Sequence, residues 1–125
     1  MNPIWSPHAQ DLLANILRDL KHETGLDNAM KWRERIIGDV DQLKFFPELG
    51  PRVPVECFLT PPQNLEHLHQ LIIKRYRAVY EITDGQVAVL SFRKCKQLLR
   101  ETDTYWNDSP DEDLGADPDD LIYRS

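Results

Sequence analysis

IIKRYRAVYEITDGQVAVLSF, residues 72–92, is the stretch that decides the fold. β-Branched and aromatic residues dominate it, the composition of strands. Asp84-Gly85 separates two alternating apolar runs, and both residues tolerate positive φ, so the pair marks a two-residue hairpin turn. A loop of that length pairs positions whose numbers sum to 169: Tyr80 with Val89, Val79 with Leu90, Arg77 with Phe92 and Arg75 with Lys94. Side chains alternate between faces. One face then collects Ile82, Tyr80, Ala78, Tyr76, Val87 and Val89. The other collects Val79, Ala88, Leu90 and Phe92, followed by Arg77, Arg75 and Lys94. The hairpin is apolar near its turn and cationic at its open end.

Those cations have two readings. Lys and Arg at sheet ends extend their heads into water and guard edges against unwanted pairing. Alternatively, guanidinium forks flanked by tyrosines form a site for phosphate or for another anion. Composition alone leaves both open.

Working outward, the β region begins at Leu68 and runs unbroken to Thr83. Thr60–Asn64 reads as a loop, and Arg52–Phe58 as a short extended piece kept to an edge or loop by Pro54. Before it, two amphipathic helices make an αα-hairpin. Ser6-Pro7 starts the first, with Ser6 as N-cap and proline at N1. Leu12, Leu13, Ile16, Leu17 and Leu20 follow at helical spacing. Gly25 ends that helix, and Asp27 or Asn28 caps the second. Its stripe is Ala29, Trp32 or Arg33, Ile36, Val40 and Leu43. Phe45-Phe46-Pro47 closes it, because proline cannot continue a helix. Pro3-Ile4-Trp5 reads as an edge strand, and Lys94–Arg100 as a strand extension or a short helix.

The chain of 125 residues, 41% hydrophobic, suits one domain. Such a domain buries roughly two thirds of its unfolded surface and requires no metal or disulfide staple. Cys57 and Cys95 form no CxxC pair and fit a reducing cytosol as small apolar residues. No signal peptide and no membrane span of about 20 apolar residues is visible.

The net charge of -6 is localised. Residues 107–125 hold seven acidic side chains and one basic, Arg124, while residues 1–106 hold equal numbers of each. The chain therefore divides into a folded domain, 1–106, and an acidic tail, 107–125, whose composition reads as disordered. Tail carboxylates folding back on Arg75, Arg77, Lys94 and Lys96 would mimic phosphate; the plainer reading is a solvating extension.

Three segments together resemble the RelE/ParE toxin superfamily of bacterial type II toxin–antitoxin systems. They are WSPHAQDLLANI at 5–16, LKFFPELGPRVPVE at 43–56 and LHQLIIKRYRAVYEITDGQVAVLSF at 68–92. The resemblance implies an α+β fold, an N-terminal αα-hairpin packed on a small antiparallel sheet. It also implies a cytoplasmic growth-inhibiting toxin silenced by a cognate antitoxin, with promoter DNA met only through that antitoxin. ParE-like members poison DNA gyrase, and RelE-like members cut mRNA on the ribosome. The fold is shared and does not decide between them.

In the nuclease branch Arg77 takes the place of an arginine that contacts the scissile phosphate and stabilises its developing charge. Lys74, Arg75, Lys94 and Lys96 would supply further positive charge, and Tyr76 and Arg93 of the same basic, aromatic stretch complete the candidate binding set; that chemistry needs no metal, and no cofactor is expected. The chain departs from that branch in having His69 where an arginine is common. After the last strand it reads Arg93-Lys94-Cys95-Lys96-Gln97, without the usual histidine, and Tyr105 lies too far along to act as the C-terminal acid. These departures, with the GPRVPVE segment, favour the ParE-like branch. The remaining reading is a decayed toxin kept as an antitoxin-bound regulatory module. His67 and His69 share one side of a strand, yet a closed zinc site needs four ligands and no others are evident. His8 and His22 read as ordinary helix residues.

Overall fold

The computed structural model describes residues 1–108. Most of the acidic tail, residues 109–125, lies outside the described residues. Strand β1 (Ile4–Trp5) leads into helix α1 (Pro7–Thr24), followed by α2 (Leu26–Asp41), β2 (His69–Ile73), β3 (Tyr76–Thr83) and β4 (Gln86–Lys94). The strands form one sheet in the order β1-β4-β3-β2. β1 is the expected edge strand, and it runs parallel to β4, whereas the other pairs are antiparallel. The sheet is therefore mixed, with the αα-hairpin packed on one face.

Ser6 shows how the two layers are joined. Its Oγ accepts the Ala9 N–H at 3.0 Å as the helix N-cap and donates to the Leu90 carbonyl at 3.2 Å. α1 is thus anchored to β4 where it begins. At its other end Gly25, with φ +95° and ψ 164°, occupies a region essentially restricted to glycine. That one residue reverses the chain, so α2 starts at Leu26, before Asp27 or Asn28 can cap it. The Asn28 amide donates instead to Thr24 Oγ1 at 2.7 Å. Trp32, half-buried, takes the stripe position beside exposed Arg33. α2 ends in a 3-10 turn over Gln42–Lys44 that buries Leu43.

Two expectations for residues 72–92 need correction. The β region is broken at Lys74-Arg75, where Ile73 pairs with Tyr76 across a second two-residue turn. Lys74 takes φ +58° there, an uncommon conformation for a lysine that composition gave no reason to expect. The expected register holds from Thr83↔Gln86 to Tyr80↔Val89 and then shifts by one residue. Leu90 is the extra residue of a β-bulge, so Val79 pairs with Ser91, Ala78 with Phe92, Arg77 with Arg93 and Tyr76 with Lys94. A shift of one reverses the faces. Phe92 joins the helix-side core, and Arg93 turns to the opposite face.

The helix-side core packs Ala9, Leu13 and Leu20 of α1 and Ile36 and Val40 of α2 against Tyr76, Tyr80, Val89 and Phe92. The opposite face of the sheet is covered by loops, not helices. Val53, Phe58 and Leu68 from one side and Leu99 from the other close over Val79, Ala88 and Leu90. Residues 95–100 take neither expected form; they run as an irregular segment bridged to Phe58 through Leu99. A 3-10 turn, Glu101–Asp103, follows. The chain then reaches the start of α1, where the His8 N–H meets the Asn107 carbonyl at 3.3 Å.

Candidate functional site

The cations expected to form one site are divided between the two faces of the sheet. Lys74 and Arg75 project from the β2–β3 turn, and Lys94 and Lys96 from the end of β4, all exposed. A backbone bond from Cys95 N–H to the Arg75 carbonyl, 2.7 Å, holds the two segments together. The Arg75 guanidinium lies 5.4 Å from the ring centres of both Trp32 and Tyr76, and its Nε donates to the Tyr76 hydroxyl at 3.2 Å. Cation–π contact fixes this head at the junction of helices and sheet. Tyr76 itself is buried, stacked on Phe92 and edge-on to Trp32 at 5.1 Å, so it braces the site from below.

Two hollows flank Arg75. One, of about 360 Å³, is lined by the apolar side chains of Ile16, Leu20 and Tyr76, by Arg75, Lys94 and Lys96, and by Asp19 and Glu23 of α1. The second, of about 330 Å³, lies between the turn and α2, lined by Asn28, Lys31, Trp32, Arg35, Lys74 and Arg75. Lys31 and Arg35 were not among the sequence candidates, and a polar helix face carries no local mark of what it will stand beside. Together these side chains form a cationic belt with aromatic backing, suited to carboxylates or phosphates on a partner.

Arg77 and Arg93 are elsewhere. They pair across β3 and β4 on the loop-covered face, 3% and 1% exposed. Arg77 donates to the Gln97 carbonyl and lies 3.5 Å from Gln70 Oε1, while its Nε is buried with no hydrogen-bond partner. Arg93 Nε donates to Asp103 Oδ2 at 2.8 Å. Asp103 also receives the Ser91 hydroxyl at 2.6 Å, the Arg100 N–H at 2.8 Å and His8 Nε2 at 2.8 Å. Burial pushes the Asp103 carboxyl up, but the His8 hydrogen bond, the Arg93 charge, the Arg100 N–H and the Ser91 hydroxyl outweigh it and hold the group at about 2. His8 is therefore a fully buried member of a polar cluster, not the ordinary helix residue its spacing implied. The cluster fastens the segment after β4 to α1 and to the sheet.

Neither histidine of the HxH pair stands in the belt. His69 Nδ1 lies 2.8 Å from the Gly50 carbonyl with its ring stacked on Tyr80, and exposed His67 lies 3.8 Å from Glu81. Cys95 is exposed overall, but its Sγ turns toward the Lys74 carbonyl at 3.9 Å. Desolvation there pushes the thiol up, against the pull of Arg77, and so disfavours a thiolate nucleophile.

Comparison with known proteins gives two findings. The family model described as the ParE toxin of the type II toxin–antitoxin system parDE matches residues 4–99. A chain of the chromosomal ParDE TA system from P. aeruginosa is similar in structure, with a TM-score of 0.59 at 16% sequence identity, over 75% of this chain and 95% of that one. That likeness is one of fold. No curated protein matches the chain.

Proposed function

The chain belongs to the ParE toxin family of type II toxin–antitoxin systems, and from that premise we propose that it arrests growth by binding DNA gyrase through the cationic belt. A cognate antitoxin holds it silent. The observation that carries this reading is the division of the cations between the two faces of the sheet. Cutting RNA by attack of a 2′-hydroxyl needs a cation at the scissile phosphate and an acid or base that titrates near the working pH. Arg77 is sealed under the loops and already donates to Gln97. The belt is built of Lys, Arg, Tyr, Trp, Asp and Glu side chains. Such a surface is suited to binding an acidic partner. The endonuclease alternative requires Arg77 to leave its place and therefore ranks second.

Among the described residues no helix is long and apolar enough to cross a membrane. A toxin that meets gyrase works in the cytoplasm, and that is where we place it. The test runs two assays on the same purified protein: ATP-dependent supercoiling by gyrase, and primer extension on an mRNA translated in a cell-free system. Blocked supercoiling with intact mRNA is the expected outcome. Discrete cuts in the message with unimpaired gyrase would replace this reading with the nuclease. Inactivity in both, with unhindered growth on expression, would make the chain a decayed toxin.

A further inference from the structure

The hollow between α1 and the end of β4 has a polarity that reads across its width. The β2–β3 turn and the end of β4 supply its cations (Arg75, Lys94, Lys96), α1 supplies its acids (Asp19, Glu23), and Ile16, Leu20 and Tyr76 are its apolar lining. A matching strip of peptide carries acids, then apolar side chains, then a base. The chain contains such a strip in its own last residues: Asp119-Asp120, then Leu121-Ile122-Tyr123, then Arg124. We propose that the hollow is a docking site for this C-terminal stretch, with Asp119 and Asp120 on the cations, Leu121–Tyr123 over the apolar lining and Arg124 toward Asp19 and Glu23.

The reach is sufficient. The described chain comes to the start of α1, where the His8 N–H meets the Asn107 carbonyl at 3.3 Å. Leu20, in the lining of the hollow, lies twelve residues along that helix from His8, about 18 Å at 1.5 Å per residue. The same number of residues separates Asn107 from Asp119, enough to span up to about 40 Å when extended. Each exposed ion pair contributes little, so a separate peptide binds only weakly. Tethering changes that: a short linker sets an effective concentration on the order of millimolar. The consequence is an autoinhibitory contact, in which any partner that presents carboxylates to Arg75 and Lys94 must first displace the tail.

The test titrates a fluorescent peptide of residues 109–125 into two full-length chains at low salt and follows anisotropy. One chain is native; the other has its tail neutralised (Asp111→Asn, Glu112→Gln, Asp113→Asn, Asp117→Asn, Asp119→Asn, Asp120→Asn). The neutralised chain is expected to bind the peptide, and the native chain to bind it roughly tenfold or more weakly, because its own tail competes from the tether. Arg75→Glu with Lys94→Glu in the neutralised chain should remove binding. A peptide carrying Asp119→Asn and Asp120→Asn should fail equally, and that control leaves the folded body unaltered. Equal affinity for both chains would overturn the proposal, as would equal binding of a peptide of the same composition in scrambled order. Dimers that depend on the tail carboxylates, seen by sedimentation, would assign the hollow to a second copy's tail and overturn the contact within one chain.

Discussion

Arg77 and Arg93 stand opposite each other on neighbouring strands, both buried, and of the two it is Arg93 that has a carboxylate, Asp103 Oδ2 at 2.8 Å. Like charges directly opposite in a sheet destabilise it. Asp103 offsets one of them and, through His8 and Ser91, ties the 3-10 turn Glu101–Asp103 to the first helix and to β4. Asp103→Asn keeps the shape and removes the negative charge that the buried Arg93 guanidinium meets at 2.8 Å. Breaking a buried pair in this way costs on the order of 3–5 kcal/mol. Urea unfolding should show a loss of that size, and a loss below about 1 kcal/mol would mean that the cluster is not a fastening.

The same carboxyl gives the protein an acid-labile component. Its folded value of about 2 lies below the usual 3.8, so the stabilisation is fully present above the unfolded value and is lost as pH falls from about 4 through about 2. A shift of that size corresponds to roughly 2 kcal/mol. The difference in unfolding free energy between the native chain and Asp103→Asn should therefore shrink by about that amount between pH 6 and pH 2. A difference independent of pH would contradict the assignment.

Gly50 is required for space, not for its φ. A Cβ there would lie 2.4 Å from the Gln70 carbonyl oxygen and 2.9 Å from the Tyr80 hydroxyl, which accepts the Gly50 N–H and donates to the Pro47 carbonyl. Backbone cannot yield as a side-chain tip does, so Gly50→Ala should cost about 1–3 kcal/mol or more. Gly38 lies inside α2 with nothing within 4 Å of an added Cβ. Gly38→Ala should stabilise by roughly 0.5–1 kcal/mol. Thermal melts of the two variants should move in opposite directions.

Arg77→Met separates a structural arginine from a chemical one. The substitution removes a like charge directly opposite Arg93, which offsets the loss of the hydrogen bond to the Gln97 carbonyl. The variant should fold, melt within a few degrees of the native chain, and still arrest growth. A folded variant that has lost toxicity would return Arg77 to the active surface.

Much of the fold was legible in the sequence because its signals are local. Ser6-Pro7, the leucine stripe, Gly25 and Asp84-Gly85 each act within a few residues, and each helix and hairpin they announce is present. The bulge at Leu90 and the turn at Lys74 were not legible. A bulge is selected by packing on two faces at once, and Lys74 carries none of the usual residue types for positive φ. That one-residue slip sends Arg93 to its buried place and puts Lys94 beside Tyr76, so the site was only half readable. His8 and Asp103 are 95 residues apart, and nothing in the neighbourhood of either points to the other.

The most direct test of the account is gyrase supercoiling with three proteins side by side: the native chain, the belt variant Arg75→Glu with Lys94→Glu, and Arg77→Met. Inhibition by the native chain and by Arg77→Met, and its loss in a correctly folded belt variant, is the predicted result. Gyrase inhibited equally by the belt variant, or inhibition lost only in Arg77→Met, would contradict it.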